Sequence, residues 1–475
     1  MRSPKNRSLL GVNEDFEGEY NDKIDFLFSL TLIAYNMREK RRVALSITLW
    51  ICILLGFIGA GIYGFTTMTP TTEPTEVEAI IAEEILEVEA PDYGIATVAP
   101  DSVGLDGKHL GYIADVVEEH IAHGTTPGAV VAIVRGNHIA YCEAFGTRAM
   151  GDATPMSPDT RFDLASLTKP IVTATAVLQL VERGDLRLGE RVSKYIPDFE
   201  GWHDKQRNKR HDIRIIDLLT HTSTLPAYIS LERLAKEYPE VDTLGSEQLM
   251  DYIAHCDREL PKNEGESRYS CLNYIALGRI VDAVSSTSLD EYAMQNIMLP
   301  LGMRNTTYNP DEAYAALCAP TSPHTSEVER CGIVDDPLAR EIMGGISGNA
   351  GLFSTAQDLA IYAAMMLNNG SWNGTQILSP LSIDALFNIP CGLEASHRTL
   401  GWRAAREVYD AAGDLLIGEQ TIVHTGATGT SMVIDRDHDM AIIILTNRTN
   451  GTGTHSDILD LRSKICNIAA AAIQR

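Results

Sequence analysis

The chain is short of positive charge. Against 64 aspartates and glutamates it sets only 39 lysines and arginines in 475 residues, a formal net charge of −25. Gripping a phosphate backbone takes clustered Lys and Arg, so nucleic acid is excluded as a partner. Cysteine is scarce too: eight in all, with no C-x-x-C pair, which indicates neither a zinc module nor a disulfide framework. Cys318 and Cys331 stand close enough in sequence to close a loop, with buried free thiols as the alternative. No H-E-x-x-H is present; His120 and His123, in EEHIAH, have another spacing and read as a solvated helix face. Absence of a G-x-S-x-G turn argues against an α/β-hydrolase nucleophile elbow. Gly345, Gly348 and Gly351 recur every third residue without a preceding strand, and read as a tight loop, not a nucleotide cradle. Internal repeats and low-complexity tracts are also lacking.

What remains is ordinary globular composition, 44% hydrophobic and 22% charged, with one exception. Residues 43–65, VALSITLWICILLGFIGAGIYGF, carry no charge and match the roughly 20 residues that cross a bilayer. Arg38, Lys40, Arg41 and Arg42 precede this run and Glu73, Glu76 and Glu78 follow it. The positive-inside rule then keeps the N-terminus cytoplasmic and sends the remainder outward, as a single-pass protein with its main domain extracellular or periplasmic. Residues 1–42 form a cytoplasmic segment. Because MREKRRVALSITLW looks like a natural signal-anchor beginning, Met37 is read as the true start; a native peptide from upstream of Met37 would dispose of that reading. Residues 66–100, rich in Thr, Pro and Glu, read as a stalk, and residues 101–475 as one domain.

Within that domain an amphipathic helix is expected near Lys108–His123. A hairpin follows over Pro127–Gly146, turning at Gly136-Asn137, and then a helix from about Leu167 to Arg183. Residues about 170–345 are mainly helical in period. Gln420–Asn447 reads as two strands turning at Arg436–Asp439, and Asp457–Ile473 as a closing helix. Strands at both ends with helices between predict an α/β (α+β) fold, one sheet made from both ends and a helical insertion beside it.

Three short patterns could carry chemistry. Ser166-Leu167-Thr168-Lys169 places a serine where the chain enters a helix, a residue type suited to the N-cap, with a lysine three positions on and on the same face. A serine hydroxyl needs a group to take its proton, and a lysine can do so if burial or neighbouring cations lower its pKa. Alone, S-x-x-K is equally a capped helix with a solvated lysine. Tyr269-Ser270-Cys271 precedes another helix; a tyrosine beside a lysine can relay a proton, or simply pack. His424-Thr425-Gly426 lies on a strand that could line a cleft, with Gly426 allowing close backbone approach, Ala427 offering an N–H to an oxyanion, and His424 and Thr425 binding a carboxylate or carbonyl.

Taken in order, with TRFDLA (160–165), LLTHTS (218–223), PLGM (300–303), GNAGLFST (348–355) and HTGATG (424–429) around them, these patterns match the S-x-x-K and K-T-G elements of β-lactamases and penicillin-binding proteins. From about Val103 to the C-terminus the chain resembles the β-lactamase-related serine hydrolases of the class C type. That group comprises D-Ala-D-Ala carboxypeptidases, class C β-lactamases and esterases, and the look here is nearest to penicillin-binding protein 4B-like members. The resemblance implies an antiparallel sheet flanked by helices, a mainly helical subdomain, and a groove between them. It implies Ser166 as nucleophile, Lys169 and Tyr269 as proton acceptors, and the Ser166 and Ala427 amides as oxyanion donors. It implies no metal or organic cofactor, and a small-molecule or peptide substrate: cell-wall peptide, ester or β-lactam. The sequence departs from the family at three places. Cys271 stands where an Asn usually holds the substrate's acylamido group, with Asn273 two residues on; His424 replaces the usual Lys; Thr224 replaces the usual Gly. A membrane-tethered penicillin or peptidoglycan sensor is the rival from another class.

Overall fold

The computed structural model describes residues 94–204, 209–260, 265–326, 330–406 and 411–474. Its main sheet has six strands: β1 (Gly128–Arg135), β2 (His138–Gly146), β3 (Arg403–Ala404), β4 (Thr421–Thr425), β5 (Ser431–Asp435) and β6 (Met440–Thr446). They lie in the order β2-β1-β6-β5-β4-β3, every neighbouring pair antiparallel. The two ends of the chain thus share one sheet, as expected. The hairpin turn sits at Gly136 (φ 57°) and Asn137 (φ 62°), the paired positive φ values of a turn whose twist suits two strands.

Strands β1 and β6 are apolar up to their last residues, Arg135 and Thr446, because both faces are covered. Val130, Ala132 and Val134 of β1, with Ala441, Ile443 and Leu445 of β6, face one core. Ala129, Val131 and Ile133, with Met440, Ile442 and Ile444, face another. The second core is closed by α1 (Tyr112–Ala122) and, at the end of the chain, α5 (His455–Ala471). In α5 the residues Ile458, Leu461, Ile465 and Ala469 make a stripe at helical spacing. Thr454 and Asp457 cap its start reciprocally. The first core extends through α2 (Thr175–Glu182) and α3 (Cys271–Ser285) to α4 (Ala356–Leu367), which packs across β1, β5 and β6. Cutting a buried isoleucine such as Ile443 to alanine here should cost about 2–5 kcal/mol.

Several sequence expectations need correction. The 420–447 segment holds three strands, not two, because the chain turns at Gly426–Gly429 and β5 runs back along β4. The first helix breaks at Gly111 into Gly107–Leu110 and α1. His120 is buried, not solvated, its ring between Thr125 and Asp460. The packed chain also begins ahead of residue 101: Ile95 is buried and Val98 donates to Ile139 O at 3.0 Å. No disulfide joins Cys318 and Cys331, the outcome favoured from sequence, though Cys331 is half-buried and not buried. The apolar run 43–65 lies outside the described residues; among those described, no helix is long and apolar enough to cross a membrane.

Candidate active site

The nucleophile segment is pinned from both sides before it enters its helix. Phe162–Asp163 pairs with Phe353–Ser354, and Leu164 N–H donates to Leu352 O at 2.9 Å. Ala165 then takes φ 46°, a conformation that costs a non-glycine residue energy and persists only where its surroundings impose it. Those surroundings include the buried Asp163, whose Oδ1 accepts Ala165 N–H at 2.8 Å and whose Oδ2 accepts Asp335 N–H at 2.7 Å. Ser166 therefore caps nothing, contrary to its residue type. It lies inside a 3-10 turn (Ala165–Leu167), and the capping acceptor is Asp163. Burial pushes the Asp163 carboxyl up to about 7 against the pull of its two amide donors.

Lys169 opens a π-helical stretch (Lys169–Ala174) that leads into α2, and is wholly buried. Its Nζ donates to Ser166 Oγ at 2.8 Å and to Asn349 O at 2.9 Å. The Asn349 loop is the tight glycine turn read from sequence. Gly348 lies so close to α3 that a Cβ there would come within 2.1 Å of Tyr274 O, and Thr173 Oγ1 donates to Gly348 O at 2.7 Å. Burial works to strip the Lys169 proton, but the Cys271 and Tyr269 groups beside it, with Asp336, carry it above the usual lysine range. The lowering that would make it a base does not occur: remote residues folded around the lysine outweigh its burial, and it rests as an ammonium donating to the serine.

The structure brings the three patterns together. Lys169 Nζ lies 5.1 Å from the centre of the Tyr269 ring, and the His424 ring 6.2 Å from it. Beyond Thr425, Thr428 Oγ1 donates to Asp163 O at 2.8 Å and Thr430 Oγ1 to Leu164 O at 3.0 Å. Two hydroxyls thus staple the turn carrying Ala427 to the loop carrying Ser166. Gly426 makes the approach possible, as expected: a Cβ there would stand 2.1 Å from Thr430 Oγ1 and 2.5 Å from Leu164 O. Ala427 is exposed, and among the described residues its N–H has no acceptor. His424 is buried; burial first, then the Lys169 and Arg398 charges, hold it well below the ordinary histidine range, so it is neutral.

Residues not singled out from sequence complete the surroundings. The His221 ring lies 4.5 Å from the Tyr269 ring, and its Nδ1 accepts from Ser270 N–H at 3.1 Å and Asn273 Nδ2 at 3.0 Å. The Arg398 guanidinium stands 5.5 Å from the Tyr269 ring centre. Asn349 and His221 lay within motifs already noticed, whereas Arg398 carried no signal. Cys271, at the head of α3, is half-buried. Asn273 does not stand in for the missing Asn: its Oδ1 accepts from Ser223 Oγ and its Nδ2 serves His221. Thr224 holds φ 66°, which explains why glycine suits that place.

A serine under a buried lysine, a tyrosine across from it and an open amide on a stapled turn make an arrangement for acyl transfer. Comparison with known proteins agrees: residues 113–465 match the β-lactamase family. The chain belongs to that family of serine hydrolases. A protein of Salmonella agona assigned the name D-alanyl-D-alanine carboxypeptidase is 30% identical over 404 residues, covering 79% of this chain and 91% of the relative. Among solved structures, EstCE1, a hydrolase with promiscuous acyltransferase activity, superposes with a TM-score of 0.60 at 24% identity, over 76% of this chain and 99% of its own. The class C β-lactamase of Rhodobacter sphaeroides gives 0.56 at 19%, over 74% and 97%. At those identities the two structures speak to the fold, an antiparallel sheet flanked by helices.

Proposed function

We propose that this β-lactamase-family hydrolase works through an acyl-enzyme on Ser166 and acts outside a membrane on acyl-D-alanyl peptides of the D-Ala-D-Ala carboxypeptidase kind. The observation that carries the reading is the 2.8 Å contact from the buried Lys169 ammonium to Ser166 Oγ. An ammonium cannot itself accept the serine proton, so the pair reacts as Lys169 ammonium with Tyr269 phenolate: the phenolate takes the proton as the Oγ–carbonyl bond forms, while Lys169 steadies the oxyanionic serine. The Ser166 and Ala427 amides hold the carbonyl oxygen. Tyr269 then passes the proton to the leaving amine as the C–N bond breaks, and water cleaves the ester by the same route in reverse.

A carboxylesterase is the second reading, favoured by one observation. Cys271 offers only a weak thiol donor, and both ends of the Asn273 amide are already engaged, so the usual holder of a substrate acylamido group is lacking. Intact-protein mass spectrometry of the full-length chain, incubated with a fluorescent penicillin or with p-nitrophenyl acetate, beside Ser166→Ala, separates the readings. A stable penicillin adduct lost in the variant supports the peptidase, and ester turnover without an adduct supports the esterase. Wild-type behaviour of Ser166→Ala in both assays would sink the serine mechanism.

The anchor belongs to this proposal too. The uncharged run 43–65, with basic residues before it and acidic ones after, supports a single span with the catalytic domain outside. Protease added to intact cells should then shave off the catalytic domain; its full protection would reject this orientation.

A further inference from the structure

Behind the turn that carries Ala427 sits a charge that the acyl-transfer scheme does not use. Arg462, on α5, is among the largest fully buried side chains, 1% exposed. Its Nη2 donates to Gly426 O at 3.1 Å and to Thr430 O at 2.8 Å, the two residues that bracket the turn. No carboxylate pairs with it among the described residues, and its Nε, also buried, has no hydrogen-bond partner. A charge that bears on it is of the same sign: Arg448, whose side chain lies against Gly429 of the same turn. Burying a guanidinium without a counter-charge is costly.

The turn does not need that guanidinium to satisfy its backbone. Gly426 O already accepts Gly429 N–H at 3.1 Å, and Thr430 O accepts Gly426 N–H at 2.7 Å. A methionine of similar length could fill the space and leave neither carbonyl without a donor. The unpaired charge must therefore be explained by something other than local hydrogen bonding. What it does touch is the backbone whose next amide, Ala427, is open to the cleft.

We infer that Arg462 is a positioning residue for the oxyanion site: it fixes the Gly426–Thr430 turn from behind and brings an uncompensated positive charge to bear where the tetrahedral intermediate develops its negative oxygen. The inference rests on Ala427 acting as an oxyanion donor in the acyl-enzyme reading. Fixed positive charge in a water-poor site acts on the transition state more than on the bound substrate, because the oxygen becomes anionic only as the acyl bond forms.

The test is steady-state kinetics on p-nitrophenyl acetate with the full-length chain, with thermal unfolding alongside. Arg462→Met should lower kcat by about tenfold to 100-fold with little change in KM, at a Tm equal to or above wild type. Arg462→Lys, which keeps the charge, should recover part of the loss. An Arg462→Met enzyme with wild-type kcat overturns the inference. So does a fall in Tm that tracks the loss of activity, or failure of both variants to fold, since Arg462 would then be a structural post only. If Met alone misfolds, a folded Arg462→Lys with lowered kcat and unchanged KM supports the inference, and wild-type kcat overturns it. Ser166→Ala, run in parallel, keeps the two questions apart. An active Ser166→Ala refutes the underlying mechanism, whereas an inactive one beside a fully active Arg462→Met refutes only the role given to Arg462.

Discussion

On the sheet side of the cleft, Gly426 is buried where no Cβ fits, and the hydroxyls of Thr428 and Thr430 bond the nucleophile loop. On the helical side, Thr224 holds φ 66° with its buried hydroxyl unpartnered among the described residues, and Cys271 stands where the family usually has Asn. The first wall is held by mutual contacts and departs from the family pattern at His424 alone. The second departs from the pattern and carries strain. The difference separates chemistry from recognition: Ser166, Lys169 and Tyr269 follow the family's order, while Cys271 stands where that family usually places the Asn that holds an acylamido group.

The strongest way to break this comparison is at Gly426. A Cβ would overlap both Thr430 Oγ1 and Leu164 O, so Gly426→Ala must push the Ala427 turn away from Ser166. A displacement of about 1 Å at such a place costs about 100-fold in rate. Ester turnover should fall by that much with circular dichroism unchanged. Wild-type turnover would show that the close approach is not what sets the oxyanion geometry.

Recognition is tested at Cys271. Asparagine there should return a hydrogen bond to an acylamido group, worth about 1.4 kcal/mol or roughly tenfold. Cys271→Asn also removes a group that raises Lys169, so the readout is a ratio: penicillin acylation, followed on gels, should gain about tenfold over acetate-ester turnover. Equal effects on both substrates, or none, would remove Cys271 as the specificity element.

How much of this was legible beforehand follows from the same division. Ser166, Lys169, Tyr269 and the His424–Gly426 strand could be picked out because the family carries those residue types in a fixed order. The sheet was visible because its hairpin and terminal strands are long and apolar. Other features depend on partners remote in sequence. Asp163 supports the nucleophile through the Asp335 amide, and Lys169 keeps its proton because of Cys271, Tyr269 and Asp336. Arg462 lies on the closing helix, where nothing in its sequence neighbours marks it as buried. The third strand was hidden because the turn at Gly426–Gly429 interrupts a run that otherwise reads as continuous β.

The helical wall also contains a pH-dependent element. Burial first, then the Arg398 and Lys169 charges, keep His221 well below the usual histidine range. A folded chain that refuses a proton the unfolded chain accepts loses stability as pH falls below about 6.5. The stability that neutral His221 provides is thus present above that pH and lost beneath it. In urea unfolding, the advantage of wild type over His221→Gln should shrink by about 1.4 kcal/mol for each pH unit below 6.5. A constant difference from pH 7 to 5 would mean that His221 charges freely in the fold.

The smallest expected effect bears most directly on the strained wall. A β-branched residue in the left-handed region costs about 1–3 kcal/mol, and the buried Thr224 hydroxyl has no partner to offset its desolvation. Glycine relieves both, against the roughly 0.5–1 kcal/mol that its greater freedom gives the unfolded chain. Thr224→Gly should therefore raise stability by about 1 kcal/mol, seen as a higher urea midpoint at unchanged slope. Lower stability would show that the threonine methyl packs well enough to outweigh its backbone. Its effect on activity then sharpens the comparison. Thr224 O accepts Glu259 N–H at 2.7 Å, and the same stretch takes the Cys271 N–H on Ala227 O at 2.9 Å, so loosening the loop loosens the mount of Cys271. A more stable Thr224→Gly enzyme with altered preference between ester and penicillin would show that the strain serves substrate choice. Unchanged preference would make the threonine a tolerated cost, leaving Cys271 alone to account for the departure.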